Sequence, residues 1–419
     1  MMIYRATKKI YYKLISESIY ANASYLLSSW AILSVLGFGF WTICTHIYTD
    51  EQVGLATGLL AALNMITSLS LIGFEMSIIR VLPKYEDKNS LLNACYSVAA
   101  LAGVTVTIIF FIIQPYVSSN LDVIHSSPLV IFLFFLFVLT SIGGFIVEST
   151  FIAYRKSKYV LRKNFIFGLL KLVFPFCFLW LGRFGIYSAY MFSLLAAVIY
   201  SMVILARQFN HSFRPNLSIS PLKGMLRYSF GNYVDGFIEG LPVMVLPIFI
   251  INVFSAEAAA HYYIAMMLAS FLFTVSVSAT QSMFAEGSHT EKQLKEIIVK
   301  SLKFMSFFLV PGILAEVLLG SFILAFFGAG YADQASGLLD ILAVSAVLVA
   351  LNAIARTILR IHYRTVALTI VSSLGSTSVI VLAYLWRSHN LSGIGMAWLT
   401  GQLITLAAFG LLLLWGRQR

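Results

Sequence analysis

The chain has 419 residues, of which 60% are hydrophobic and only 11% are charged. Because soluble domains carry about 25% charged residues, this chain has too little polar surface to face water on all sides. The composition excludes an ordinary soluble enzyme and indicates a protein whose main solvent is the lipid bilayer. The net charge of +11 requires no nucleic acid partner, since the basic residues are spread over short loops at a membrane surface.

Apolar runs of about 20 residues, the length that crosses about 30 Å of hydrocarbon, recur along the whole chain. The first run begins near Tyr20 without a small-residue cleavage pattern, so we expect a retained helix rather than a signal peptide. The three cysteines have no metal or redox spacing, and we expect them to be packing residues. In chain order, the predicted spans are residues 20–47, 53–79, 91–117, 128–153, 164–182, 184–206, 226–253, 258–284, 299–327, 334–360, 366–386 and 393–415.

The positions of lysine and arginine test this count, because short cytoplasmic loops of membrane proteins collect positive charge. All 28 basic residues except Lys171, Arg183 and Arg387 lie near the two termini or near alternate connections between spans. The pattern predicts an even number of spans and places both termini in the cytoplasm. We therefore expect a multi-pass protein of the cell's inner (cytoplasmic) membrane.

A short motif recurs at equivalent positions of the two halves of the chain. Residues 48–54 read YTDEQVG before and into span two, and residues 254–260 read FSAEAAA before and into span eight. In each, a hydroxyl can cap the helix and a glutamate suits its positive end, so convergence on a capping motif is one explanation. The equivalent positions favour duplication instead. We predict two six-helix lobes, residues 1–206 and 226–419, joined by a cytoplasmic linker over 207–225.

Further motifs lie in the first 90 residues: FW at 40–41, YTDEQVGLA at 48–56, LIGF at 71–74 and RVLPK at 80–84. Together they resemble the opening of polysaccharide biosynthesis membrane proteins, the oligosaccharide flippase family of the multidrug/oligosaccharidyl-lipid/polysaccharide exporter (MOP) superfamily. Relatives of this family include O-antigen and lipid II flippases and the multidrug and toxin extrusion transporters. The resemblance implies an all-α membrane protein with about 12 transmembrane helices in two pseudo-symmetric six-helix bundles.

The resemblance also implies a function. Members of the family move an oligosaccharide linked to a polyprenyl diphosphate from the cytoplasmic leaflet to the outer leaflet, for assembly of a surface polysaccharide such as lipopolysaccharide O-antigen. Movement occurs by alternating access to a cleft between two lobes. This reaction makes and breaks no covalent bond, so the resemblance implies no catalytic residues.

Span seven carries the clearest set of ionisable groups at membrane depth. Asn232, Asp235 and Glu239 share one helix face at i, i+3 and i+7 spacing, in a stretch that Pro242 and Pro247 are expected to kink. Charged groups at the centre of a membrane helix cost at least about 2.5–3.5 kcal/mol on insertion scales, so they normally face a cavity or a partner.

In extrusion transporters and in the lipid II flippase, span seven likewise bends and helps to bind a coupling cation. The resemblance implies that Asp235 and Glu239 bind Na⁺ or H⁺, with Asp340 of span ten as a further candidate. Helical rise leaves a vertical gap of about 12 Å between Glu239 and Asp340, which tilt or the kink would have to close. The alternative is that these carboxylates pair with Arg227 or form local hydrogen bonds.

Two polar stripes are candidates for lining a cleft that contacts sugars. Small polar side chains also hold membrane helices together, and this alternative stays open. On span two the stripe consists of Asn64, Ser68 and Glu75, and on span eight it includes Ser270, Thr274, Ser278 and Gln281. Asn232 of span seven is a further cleft-lining candidate.

A diphosphate in a membrane requires cations, and arginine is favoured for its forked geometry. The candidates are Arg80, Lys171, Arg227, and Arg356 with Arg360. Most of them could simply follow the positive-inside pattern. Lys171 lies within span five, where the alternatives are snorkelling to the interface or pairing with Glu148. The lipid II flippase also uses an arginine in its first span, and the lack of a basic residue beyond Lys13 in span one argues against lipid II as cargo.

Two other classes compete with this interpretation. A multidrug/cation antiporter of the same fold would use acidic cavity residues, and a membrane polysaccharide polymerase would need a large external loop, whereas every predicted outer loop is short. The histidines are scattered, and the sequence contains no Gly-rich phosphate loop.

We predict a transporter that is not an enzyme, with no metal site and no cofactor beyond a coupling Na⁺ or H⁺. Its predicted partners are the lipid-linked oligosaccharide and membrane lipids, and association with polysaccharide assembly proteins is left open.

Overall fold

The computed structural model of the protein describes residues 2–287, 294–362 and 365–415. Throughout these ranges the regular secondary structure is helical, which confirms the predicted all-α class. The α-helices are α1 (Met2–Ile47), α2 (Asp50–Leu71), α3 (Phe74–Val81), α4 (Lys88–Val117), α5 (Pro128–Ala153), α6 (Lys158–Cys177), α7 (Gly185–Gln208), α8 (Lys223–Val253), α9 (Ala256–Gly287), α10 (Leu294–Ala325), α11 (Ala329–Ile361), α12 (Thr365–Leu385) and α13 (Asn390–Trp415).

Each predicted span except the second overlaps a single helix. Among the described helices, 11 are long and apolar enough to cross a membrane. Helix α6, at predicted span five, falls outside that set. It is 20 residues long and contains Lys158, Arg162, Lys163 and Lys171.

Span two is not one continuous helix, which corrects the prediction. Helix α2 ends at Leu71, and Ile72 and Gly73 follow with φ angles of 49° and 78°. A positive φ is ordinary for glycine but an outlier for a β-branched residue such as Ile72. The chain resumes as α3 after this break, so the i+11 spacing of a continuous helix does not apply to Glu75.

The repeated motifs cap their helices, as their hydroxyl residues predicted. The Oγ1 atom of Thr49 accepts from the amide of Gln52, whose side chain accepts in return from the amide of Thr49. The Oγ atom of Ser255 accepts from the amide of Ala258 at 3.0 Å. The two segments also meet: a Cβ atom at Gly54 would collide with the backbone carbonyl of Ala256. Glycine at position 54 therefore permits the close approach of the first turns of α2 and α9.

The chain forms two compact units. Unit 1 comprises Met1–Ile47, Ile66–Val117 and Asp122–Phe230, and unit 2 comprises Tyr48–Met65, Ser118–Leu121 and Gly231–Arg419. In unit 2, small residues of α11, among them Ala343, Ala346 and Ala350, pack in a cluster with apolar side chains of α9 and α10. Small residues let helices approach closely in a membrane, where van der Waals contact drives association. The predicted division into two six-helix lobes stays a prediction.

The connection between α7 and α8, at the predicted linker, is attached to the start of α4 within unit 1. Asn93 donates to the carbonyl of Ser212 at 2.8 Å, and the amide of Asn216 donates to the Oγ atom of Ser97 at 2.9 Å. Beside them the His211 ring is buried, and burial lowers the pKa of its imidazole. This part of the connection is a fixed surface element of unit 1.

Candidate functional site

Two carboxylates of α8 and two guanidinium groups of α11 form one ion-pair network in unit 2. A carboxylate oxygen of Asp235 lies 3.1 Å from a nitrogen of Arg360 and 3.7 Å from a nitrogen of Arg356. Glu239, one turn further along α8, pairs with Arg356. Because residues four apart share a helix face, each helix presents two charges to the other.

Exposure divides this ion-pair network into a buried end and an open end. The side chains of Asp235 and Arg356 are 2% and 10% exposed, and they form the buried end. The side chains of Arg360 and Glu239 are 38% and 53% exposed, and they form the open end.

Helix α12 supplies hydrogen bonds that complete the buried end. The hydroxyl of Ser372 donates to Oδ1 of Asp235 at 2.6 Å and accepts from Nη2 of Arg356 at 3.1 Å. One turn later, the hydroxyl of Ser376 donates to the backbone carbonyl of Ile238 at 2.6 Å. Both carboxylate oxygens of Asp235 therefore have partners.

These hydrogen bonds matter because an ion pair in a low-dielectric environment must offset a desolvation cost of several kcal/mol per ion. Two carboxylates and two guanidinium groups cancel in charge, and Asp235 has three polar partners. The network involves the middle of α8, where Asp235 and Glu239 follow Lys223 by about 18 and 24 Å, and the last turn of α11, where Arg360 is next to the last residue.

The structure brings the predicted ion-binding residues Asp235 and Glu239 together but leaves Asp340 elsewhere. Asp340 precedes Arg356 on the same continuous helix by about 24 Å at 1.5 Å per residue. Asn232, predicted on the same face of α8, is exposed. The side chain of Arg227, the predicted alternative partner, lies outside the described part of the chain.

Lys171 of α6 is held differently, inside unit 1. The residue is 5% exposed, and its Nζ atom lies 4.9 Å from the ring centroid of Phe167, 5.7 Å from that of Phe40 and 5.9 Å from that of Tyr190. Cation–π contacts are worth about 2 kcal/mol or more when they are desolvated. Within the described residues, Lys171 makes no ion pair. It is thus a buried cation that aromatic faces stabilise without neutralising.

Of the alternatives considered for Lys171, the pairing with Glu148 is not formed. Glu148 pairs with Lys163, which lies two helical turns earlier on α6. Because Glu148 pairs with Lys163, Lys171 keeps its contacts with the three aromatic rings. Of the remaining diphosphate candidates, Arg80 is exposed near the end of α3, and Arg227 has no described side chain.

The predicted stripe on α9 lies on an exposed surface of that helix. Thr274, Ser278 and Gln281 are all exposed, and the hydroxyls of Thr274 and Ser278 donate to carbonyl groups one turn earlier in the same helix. Asn64 is exposed on α2, while Ser68 and Glu75 are half-buried on either side of the break at Ile72. The stripe on α9 is therefore accessible, and the stripe on span two is interrupted.

Sequence reasoning missed three features of these sites. The first is the pair Ser372 and Ser376, whose i, i+4 spacing on an apolar helix was a usable signal. The second is the aromatic enclosure of Lys171: Phe167 at i−4 on the same helix was a usable signal, whereas Phe40 and Tyr190 lie on other helices and gave none. The third is Glu316, a buried carboxylate of α10 with one oxygen atom that has no hydrogen-bond partner in the described part of the chain.

Comparison with solved structures places the fold among MOP superfamily proteins. The lipid II flippase MurJ, in an inward closed conformation, matches with a TM-score of 0.74 and 11% identity over 92% of this chain and 86% of MurJ. An inward-facing multidrug resistance MATE family transporter matches with a TM-score of 0.62 and 14% identity, over 95% of this chain and 94% of that one. A MOP superfamily transporter from Pyrococcus furiosus matches with a TM-score of 0.60 and 14% identity, over 96% of this chain and 95% of that one. The chain thus has the fold of these proteins, and its apolar helices define a multi-pass membrane protein.

Residues 19–241 match the family described as polysaccharide biosynthesis protein, and this match covers more than half of the 419 residues. The chain belongs to that family, which confirms the resemblance that its opening motifs indicated. Comparison with curated protein sequences gives no match.

Proposed function

We propose that this protein is a flippase that moves an oligosaccharide linked to a polyprenyl diphosphate from the cytoplasmic to the outer leaflet, for surface polysaccharide biosynthesis. The observation that carries the proposal is the burial of cations, Lys171 and Arg356, between the helices of a polysaccharide biosynthesis protein. Burying a cation is costly, and an anionic headgroup is a ligand that would offset the cost for Lys171, which makes no ion pair among the described residues. In the proposed mechanism the lobes alternate between the two sides of the membrane.

The diphosphate is assigned to the cations, and the sugars to exposed polar surfaces. Lys171 and Arg356 are the principal candidates for the diphosphate, and Arg80 and Arg227 are secondary ones. Exposed amides and hydroxyls such as Asn64, Thr274 and Gln281 suit hydrogen bonds to a glycan. The positive-inside pattern places the end of α11, and with it Arg356 and Arg360, on the cytoplasmic side, where the substrate would be loaded.

Coupling to an ion gradient is a further part of the proposal. Asp235 and Glu239 remain the candidate Na⁺ or H⁺ ligands, and Asp340 would act at a separate position on α11. In the present arrangement, two arginines already supply positive charge to this carboxylate pair. Asp235→Asn and Glu239→Gln variants that transport with unchanged dependence on sodium and pH would remove this role.

A multidrug exporter is the second candidate function, and the match to a MATE family transporter favours it. The exposed Glu239 carboxylate is the group that could attract a cationic drug. Against this stands its pairing with Arg356, because a neutralised carboxylate attracts a cation weakly.

The deciding experiment deletes the gene in its source organism. Lipid-linked oligosaccharide in the cell, polysaccharide at the surface and drug susceptibility are then measured in parallel. We expect glycolipid to accumulate inside, surface polysaccharide to be lost and drug susceptibility to stay unchanged. Normal surface polysaccharide together with increased drug uptake would reject the proposal and support the exporter. Tagging both termini and testing their accessibility in whole cells checks the predicted cytoplasmic location of the termini.

A further inference from the structure

The ion-pair network of α8 and α11 contains one anchored carboxylate and one displaceable carboxylate. Asp235 has three partners, Ser372, Arg356 and Arg360, and its side chain is 2% exposed. Glu239 has one partner in the described part of the chain, Arg356, and its side chain is 53% exposed. An incoming anion would therefore meet Glu239 first and could replace it without opening the buried end.

Arg360, whose side chain is 38% exposed, has one donor atom without a partner among the described residues. Its Nη2 atom donates to Asp235 at 3.1 Å, while its buried Nε atom has no hydrogen-bond partner among the described residues. A guanidinium group offers five N–H donors in a planar fork. Arg356 lies one turn away, and Cβ atoms at this spacing are about 5–6 Å apart. Two forks can thus face a single group that has several anionic oxygen atoms.

We propose that Arg356 and Arg360 form the diphosphate subsite of this protein and that Glu239 is its built-in competitor. On binding, the diphosphate takes the place of Glu239 on Arg356 and accepts hydrogen bonds from Arg360. Asp235 stays with both arginines and keeps them in place. Glu239, which has then lost its counter-ion, takes up a proton or Na⁺, so that substrate and cation bind cooperatively. This inference rests on the proposed function, because the diphosphate is the group that its substrates share.

Replacing Glu239 should change anion binding in opposite directions, depending on whether Glu239 competes with the substrate or only positions Arg356. If Glu239 only positions Arg356, its replacement disorders the arginine and weakens anion binding. If Glu239 competes with the substrate, its replacement frees the arginine and strengthens anion binding. Glu148 provides a matched control, because it is also a carboxylate paired with a cation of a neighbouring helix. Glu148→Gln changes the net charge by the same amount in the other unit.

The experiment measures binding of farnesyl diphosphate to the purified full chain in lipid nanodiscs, with farnesol as a neutral probe of the lipid tail. We expect Glu239→Gln to bind farnesyl diphosphate about tenfold more tightly than the unsubstituted protein, the size expected for one charge-assisted hydrogen bond. Arg360→Gln should bind at least about tenfold more weakly, and Glu148→Gln should stay within about twofold. Farnesol binding should be the same in all four proteins.

A second measurement tests the cation step with the same proteins. Binding of farnesyl diphosphate to the unsubstituted protein should tighten at lower pH, or in Na⁺ relative to choline at constant ionic strength, and Glu239→Gln should lose this dependence. Weaker or unchanged binding by Glu239→Gln, or equal tightening in Glu148→Gln, would overturn the competitor role. Binding that ignores both pH and Na⁺ would overturn cation uptake. The proposed function fails separately, if deletion of the gene leaves surface polysaccharide intact.

Discussion

Two buried cations of this chain are stabilised in opposite ways. Lys171 of unit 1 lies among the rings of Phe40, Phe167 and Tyr190, with no ion pair among the described residues. Arg356 of unit 2 lies between Asp235 and Glu239 and donates to a serine hydroxyl. Both side chains are at least nine-tenths buried between helices, so the difference lies in what compensates the charge.

Because of this difference, removing each of the two cations should have different consequences for stability and for function. A carboxylate neutralises a cation, and removal of either partner strands the other charge in a low-dielectric environment. Aromatic faces stabilise a cation without cancelling its charge, and its removal strands no partner. Loss of Arg356 should therefore damage the fold, whereas loss of Lys171 should spare the fold and damage anion binding.

The largest expected effect is that of Arg356→Ala on stability. Removing one partner of a buried ion pair costs up to about 3–5 kcal/mol, and here it leaves the carboxylates of Asp235 and Glu239 with the single positive charge of Arg360. We expect a marked fall in the unfolding temperature of the purified protein. The double variant with Asp235→Asn should recover much of the loss, since it removes the stranded charge. A double variant no more stable than the single one would show that the arginine acts through packing alone.

Lys171→Met tests the other half of the comparison. Methionine retains the length of the side chain, and no carboxylate is stranded, so the free energy of unfolding should change by less than about 1 kcal/mol. Restoration of surface polysaccharide in a deletion strain should fall at least about tenfold, because the anionic headgroup loses a charged partner. Lys171→Arg should retain activity. Full activity of the methionine variant would remove Lys171 from the transport function.

The contrast also shows what the sequence could predict. Long apolar runs and alternating charged connections were sufficient for the helices, because membrane spanning dictates both. The i, i+3 and i+7 spacing of Asn232, Asp235 and Glu239 placed two carboxylates on one face, and the ion-pair network contains both. The identity of their partners was out of reach, since Arg360 is 125 residues away from Asp235 and helix packing alone brings them together.

The break in span two was missed for a different reason. The segment Leu71-Ile72-Gly73-Phe74 is apolar throughout, and hydropathy does not detect that the φ angle changes from negative to positive at Ile72 and Gly73. Gly73 was the one available signal, because a glycine next to a helix end is a common site of left-handed backbone. Isoleucine before it argued against a turn, since a β-branched residue rarely adopts positive φ.

The smallest predicted effects concern the backbone, at one glycine in each of the two units. Gly73 of unit 1 has a φ of 78°, a conformation that costs an L-residue about 1–2 kcal/mol. Gly236 of unit 2 lies inside α8, and a Cβ atom there would have no neighbour within 4 Å. Gly73→Ala should therefore lower the unfolding temperature, and Gly236→Ala should raise it slightly, because alanine is favoured over glycine in a helix by up to about 1 kcal/mol. Equal shifts for both variants would mean that the break after α2 relaxes into a continuous helix at little cost.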